Sequence, residues 1–528
     1  MSRGIAAALA ALLVGCGRTP PAPPTQTAAV AAVPAAVREQ LLDGAVSVLD
    51  RLDEFEESAA YAQVFDRLNQ WSHSRPAALA AAWSVDPLTA TLPERLRPLA
   101  SAERLGSSTF EAAGDVVALR DRRWLADIAR QARTGIAPDD QLAAAVAIFQ
   151  WTIRSLAPVS DPPTIPSDSN PGTRWMLPGE ILLSGRASPP QRAWIFLELL
   201  RQAGLDGVML ATGDDPATAR PWVPAVISAG EAYLFEPGYG MPIPGPDGTG
   251  VATARQAAAD PAVLAALSLP DRPYPVQAAD AARLTVLVAA DPWSLSRRMA
   301  EVEAGRGAGL EWRLALDASG LAARARAAVP DSAAAGLWAF PWETLTRRGD
   351  PGTTAVLGRE LAPLAVAFAQ QRGDQRQGAR ISRPLLAARI REFRGDLDGP
   401  EGAKASYLMA RPSRQAIAEA VAGVPPPQAD AVRRLYDQMK EDATYWLGVL
   451  TLGEGEYEAA IDYLWRMTLE SAPDSRWVDA ARLNLAEALL GVGDSVAAAA
   501  LLREDGSPQR YGSRLRAERL GRSAAGEN

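Results

Sequence analysis

The run from Gln191 to Asp206 constrains this chain more than any other stretch. Its centre, Ala193 to Leu200, reads Ala-Trp-Ile-Phe-Leu-Glu-Leu-Leu. A helix that is apolar on most of its faces has to be enclosed by other elements. The following residues supply them. Gly207-Val208-Met209-Leu210-Ala211 reads as a short buried strand. Trp222 to Ile227 and Ala232 to Pro237 flank Gly230 and read as a hairpin. The helix is therefore expected at the centre of a mixed α+β unit.

The chain has 528 residues, too many for one core, and about three domains are expected. Its net charge of −8 leaves no basic stripe to neutralise phosphates, so nucleic acid is not an expected partner. The first residues carry Arg3, then the apolar stretch Ile5 to Val14, then Gly15 and Cys16, the only cysteine. That is the layout of a secretory signal, too short to span a bilayer. Residues 17–37 are rich in proline and alanine and read as an extended tether.

From Arg38 the spacing of Leu41, Leu42, Val46, Leu49 and Leu52 is helical. Asp50, Asp53, Glu54, Glu56 and Glu57 lie beside it. Without histidine or ordered acidic spacing, they read as a solvated face rather than a metal site. The only histidine, His73, falls in Ser72-His73-Ser74-Arg75-Pro76 and reads as a surface residue at a helix end. Beyond the hairpin, Leu284 to Ala290 and Leu310 to Ala315 read as strands. Ser294 to Ala304 and Leu321 to Val329 read as the helices that follow them, giving a small α/β unit. Gly305, Gly307 and Gly309 stand between helix and strand, where they form a turn and not a phosphate loop.

The last hundred residues repeat. Laying Tyr445 to Leu464 over Leu483 to Leu502, at an offset of 38 residues, matches Leu447 with Leu485 and Gly448 with Ala486. It also matches Gly455 with Gly493, Ala460 with Ala498 and Leu464 with Leu502. Small residues at Gly448 and Ala460 let two antiparallel helices approach. With Tyr457 and Pro473, this pattern resembles the tetratricopeptide repeat, although its period exceeds the usual length of about 34 residues. Ser495 stands where Tyr457 would recur. The resemblance implies a surface for envelope proteins or peptides, with flanking helices at Asp430–Lys440 and Tyr511–Leu520 as caps.

Two further resemblances bear on function. Leu13-Val14-Gly15-Cys16 resembles the bacterial lipoprotein signal, which implies a lipid on Cys16. Gly17 after it favours the outer membrane, with the chain facing the periplasm. The stretch from Ala143 to Pro237 resembles the transglutaminase-like fold. Its shared features are a leading helix, the helix ending Leu199-Leu200-Arg201-Gln202-Ala203-Gly204-Leu205, a strand, Pro221-Trp222-Val223, and an acid before Pro237. That family uses a thiolate nucleophile, an imidazole base and a carboxylate that orients the ring. Here the helix opens Pro189-Pro190-Gln191-Arg192, the histidine position holds Arg220, and only the acid persists, as Glu236. Arginine does not act as a base near neutral pH. The expected site is therefore a degenerate one, Arg192, Arg220 and Glu236. A salt bridge between Arg220 and Glu236 is its bland fate, and Trp194, Trp222 and Tyr239 are candidate walls of a surviving cleft, ranked behind core packing of the same rings.

The expected fold class is α+β multidomain. It has a signal peptide at 1–16, a tether at 17–37 and a helical region at 38–137. A degenerate transglutaminase-like domain follows at 138–275, an α/β and helical region at 276–425, and tetratricopeptide-like helices at 426–528. The expected function is a non-catalytic binding or scaffolding lipoprotein of the cell envelope, with no cofactor and no metal. The alternative is a carboxylate-dependent hydrolase or lyase of cell-wall material, pairing Glu236 with Asp214, Asp215 or Asp247.

Overall fold

A computed structural model describes residues 34–52, 57–75, 83–112, 114–160, 174–306, 312–370 and 380–525. Cys16, its signal, and the tether up to residue 33 lie outside the described residues, as do Asp53, Glu54, Glu56, Gly307, Gly309 and Leu310. The chain is mixed α+β. Helices α1 (Ala35–Leu49), which begins just inside the expected tether, and α2 (Glu57–His73) form a hairpin. They pack on α3 (Asp115–Ala132) through Leu42, Leu49, Val64, Leu68 and Leu119. α4 (Gln141–Ser155) leads to the central helix α5 (Pro189–Ala203).

Local chemistry sets both ends of α5. Pro189 occupies the first turn, where its missing N–H is harmless. Gln191 Oε1 accepts the Ser188 N–H at 3.0 Å. Gly204 ends the helix at φ +77°, a conformation that suits glycine.

One six-stranded sheet carries β1 (Asp206–Thr212), β2 (Arg220–Ser228), β3 (Glu231–Glu236), β4 (Met241–Pro242), β5 (Leu284–Val288) and β6 (Ser332–Leu337). Its spatial order is β4-β3-β2-β1-β5-β6. Only the β5–β6 pair is parallel. Strands from both sides of residue 275 share this sheet, since Met209 pairs with Leu287. The boundary expected there does not separate two sheets.

Alternate residues of each strand point to opposite layers. Met209, Ala211, Val226, Phe235 and Leu287 meet Phe196, Leu199 and Leu200 of α5. Rings of Phe149, Phe196 and Phe235 pack mutually in edge-on and tilted arrangements with centroids 5.0 to 5.2 Å apart. Val208, Leu210, Val223, Leu234 and Val286 face the other way, toward Leu321, Ala322 and Ala325 of a later helix. The α5 layer also buries a charged network. Arg122 Nη2 donates to both Asp291 carboxylate oxygens, at 2.7 and 2.9 Å, and Glu198 binds Arg201 beside them. Such groups are tolerated inside only when paired.

The expected strand over Leu310–Ala315 does not form in its described part. After α6 (Arg297–Arg306), residues 313–317 lie in no sheet. Their donors are taken by side chains instead. Glu303 Oε2 accepts from Leu314 and Ala315, and Gln202 Oε1 accepts from Arg313 N–H at 2.8 Å. Trp312 and Leu314 are buried, so the period of two survives without a ladder. α7 (Ala318–Ala328) then leads to β6, which takes the place beside β5.

α8 (Pro384–Arg394) and α9 (Ala403–Met409) precede the C-terminal hairpins. α10 (Pro426–Gly453) is one helix of 28 residues, so the flanking helix expected at 430–440 is its first half. α11 (Tyr457–Ile461) continues as a π-helix, Asp462–Glu470. α12 (Val478–Gly491), α13 (Ser495–Arg503) and α14 (Arg510–Ala525) follow. Gly455 and Gly493, 38 residues apart in sequence, both adopt positive φ at equivalent turns, +78° and +86°. Leu447, Gly448, Ala460 and Leu464 are buried where α10 meets its partner. A Cβ on Gly448 would come within 2.8 Å of Leu464. Tyr457 seats its ring on Gly491, where a Cβ would meet it at 2.4 Å.

These hairpins are docked on the rest of the chain. Glu360 accepts from Arg174 and Arg186, both at 2.7 Å, and from Arg476 at 3.0 Å. Arg476 also binds Asp442 of α10. Gly185, at φ +62°, lies against the Trp446 ring, where a Cβ would fall 1.9 Å from the indole.

Candidate functional site

The ends of three elements converge on a half-open cavity of about 420 Å3. Pro189 brings the start of α5, Arg220 the start of β2 and Glu236 the end of β3. Arg272 and Tyr274 come from the loop before β5. Pro508, Arg510 and Tyr511 close the cavity from the start of α14. Gly512 lets this helix lie directly on the sheet layer, because a Cβ there would meet Tyr239 O at 1.9 Å.

Glu236 is held by donors, not by a cation. Its Oε1 accepts the Gly238 N–H at 2.9 Å, and its Oε2 accepts the Tyr274 hydroxyl at 2.5 Å. The Tyr274 oxygen in turn accepts from Trp222 Nε1 at 2.9 Å. Burial raises the Glu236 carboxyl above its usual range, against the pull of those hydrogen bonds. Burial and the nearby carboxylate raise the Tyr274 phenol well above its own, so it stays a donor.

The expected salt bridge between Arg220 and Glu236 is not made. The hairpin pairs Ala225 with Leu234, and continuing that register sets Val223, not Arg220, opposite Glu236. Among the described residues, no carboxylate lies within 4.0 Å of Arg220.

Arg192 stands behind the cavity, not in it. It is 1% exposed. Its Nε and Nη2 donate to Leu156 O, and its Nη1 donates to Pro237 O at 3.2 Å and Gln509 Oε1 at 2.6 Å. Burial pulls its pKa down to about 9, so it remains charged at neutral pH. It clamps α5 to the segment that roofs the cavity.

Of the three expected walls, only Tyr239 lines the cavity. Trp194 is in the core, edge-on to Phe340 at 5.9 Å. Trp222 stands one step back and positions Tyr274. Arg272, Tyr274, Arg510 and Tyr511 escaped sequence reading. Their only signal is an arginine with a tyrosine close after it, in Arg272-Pro273-Tyr274 and Arg510-Tyr511.

Glu236 is the one carboxylate in the cavity wall. Asp214 pairs with Arg283 at 3.1 Å, while Asp215 and Asp247 accept backbone N–H groups in their own loops. None of the three lines the cavity. His73 is exposed at the end of α2 and is not a lining residue either. Among the described residues there is no metal-ligating cluster of three or more histidine, cysteine or acidic side chains. No described helix is long and apolar enough to cross a membrane. No family model, curated protein or solved structure matches the chain.

Proposed function

We propose that this chain is a non-catalytic scaffolding or binding protein of a bacterial cell envelope, tied to the membrane by a lipid on Cys16. Its C-terminal hairpins take envelope proteins or peptides as partners. The observation that carries this reading is where apolar surface is left uncovered. Among the described residues, the exposed large apolar side chains are Val37, Leu408, Met409, Trp465, Met467, Val492 and Val496. Four of these seven lie on the hairpins after residue 426, and Leu408 and Met409 end α9 close by. Arg411 links the two groups, since its Nη2 approaches Met467 Sδ at 3.6 Å. Apolar surface concentrated in one region marks an interaction site. The resemblance of the repeats to tetratricopeptide units points the same way.

Full-length protein carrying Trp465→Ser, Met467→Ser and Val496→Ser is expected to lose a subset of the partners that wild type captures from envelope extract by cross-linking. Identical partner sets would overturn the role given to the hairpins. Separately, Cys16→Ser is expected to move the protein from the membrane pellet to the soluble fraction, because attachment depends on buried acyl methylenes. An unchanged pellet fraction would remove the lipid anchor.

A further inference from the structure

We propose that the cavity beneath α14 binds a small organic carboxylate with an adjacent N–H or O–H donor, such as a peptide C-terminus. The chain is acidic overall, with a net charge of −8. Arg192 apart, its buried arginines are matched to acids, as in Arg122 with Asp291, Arg298 with Asp115, and Arg174 with Glu360. Arg220, Arg272 and Arg510 are exposed and lack such a match. They come from three distant segments, they face one cavity, and no carboxylate lies within 4.0 Å of any of them among the described residues. Convergence of unmatched guanidinium groups creates a positive well inside a negative molecule, and such wells draw anions.

The arginines are also prearranged. The Arg272 guanidinium lies 3.9 Å from the centre of the Tyr511 ring, and that of Arg510 lies 4.6 Å from it. Arg510 Nη2 donates to the Tyr511 hydroxyl at 3.0 Å. Stacking on one ring limits how far either side chain swings, which lowers the entropy lost on binding. A guanidinium fork matches a carboxylate with two parallel hydrogen bonds.

Glu236 selects the rest of the ligand. It sits in the same wall, and its two oxygens keep spare acceptor capacity beyond the donors from Gly238, Tyr239 and Tyr274. An anion pressed against it is repelled, and an N–H or O–H is accepted. The ligand therefore carries its negative charge toward the arginines and a donor toward Glu236. A cavity of about 420 Å3 holds something of amino-acid to dipeptide size.

Isothermal titration of the full-length protein with N-acetyl-alanyl-alanine, its C-terminal amide, and inorganic phosphate tests this. The free acid is expected to bind at least tenfold more tightly than the amide and than phosphate. Arg272→Ala with Arg510→Ala is expected to weaken the acid at least tenfold. Both side chains are exposed, and an unchanged Tm confirms that the variant folds. Arg220→Ala alone provides a second variant with the same expected direction. Equal binding of acid and amide, tighter binding of phosphate, absence of binding at millimolar acid, or unaltered binding in the arginine variants would each overturn the assignment. Partner capture by the hairpins is read in a different variant, so either result stands without the other.

Discussion

Glu360→Gln is expected to lower the stability of the full chain by about 3–5 kcal/mol, the usual cost of removing one partner from a buried ion cluster. Glu360 receives three guanidinium groups, from Arg174, Arg186 and Arg476, with side-chain exposures of 10%, 21% and 17%. Glutamine keeps the shape but leaves those cations facing one another without a counter-charge. Burial alone would raise the Glu360 carboxyl, but the surrounding arginines outweigh it and hold it below its usual range. A lowered folded pKa means that the stabilisation is complete above the unfolded value, about 4.3, and fades as pH falls through the folded one. The gap between wild type and Glu360→Gln in urea denaturation should therefore be full at pH 7 and close below about pH 4. An equal gap at both pH values would show that the charge is not responsible. The second transition to watch is local. Arg476 belongs to the C-terminal helices and Arg174 and Arg186 to the segment before α5, so the variant should loosen the hairpins first. Hydrogen exchange in α10 and α12 is expected to rise before exchange in α5.

Gly185→Ala is expected to cost about 3 kcal/mol or more. Two penalties meet at that residue. Its φ of +62° disfavours any side chain, by about 1–2 kcal/mol. The new methyl would also fall 1.9 Å from the Trp446 indole, and overpacking of this kind costs roughly 1–3 kcal/mol. Relief requires Trp446 to leave a cluster in which it packs edge-on against Tyr445 and Trp477 and takes the Arg389 guanidinium at 3.6 Å from its ring centre. The double variant Gly185→Ala with Trp446→Leu should recover part of the loss, since leucine vacates the contested space. A Gly185→Ala protein with the Tm of wild type would mean that the indole has another place to go.

Much of the middle of the fold was legible because it obeys simple periods. The helix at 189–203, the strand at 206–212 and the hairpin around Gly230 follow from apolar runs broken by glycine. The equivalent turns at Gly455 and Gly493 follow from self-similarity. The sheet's far side was not legible. Ser332–Leu337 reads Ser-Ala-Ala-Ala-Gly-Leu, which has no β-branched or aromatic residue to mark a strand. It becomes one because β5 presents an open edge. Residues around Leu314 have the opposite fault, a strand-like pattern with no neighbour to pair with. The cavity was half legible. Arg220 and Glu236 were singled out by the resemblance to the transglutaminase-like pattern, whereas Arg272, in a loop, and Tyr511, at the start of α14, stand 239 positions apart in sequence and are joined only by packing.

The roof laid over the cavity by α14 also sets a schedule. A ribosome makes Arg220 and Glu236 well before Arg510 and Tyr511. Until those last residues emerge, the pocket lacks a wall and two of its aromatic and cationic groups. A chain whose α14 has not yet docked is therefore empty-handed, and ligand capture begins only once that helix is in place.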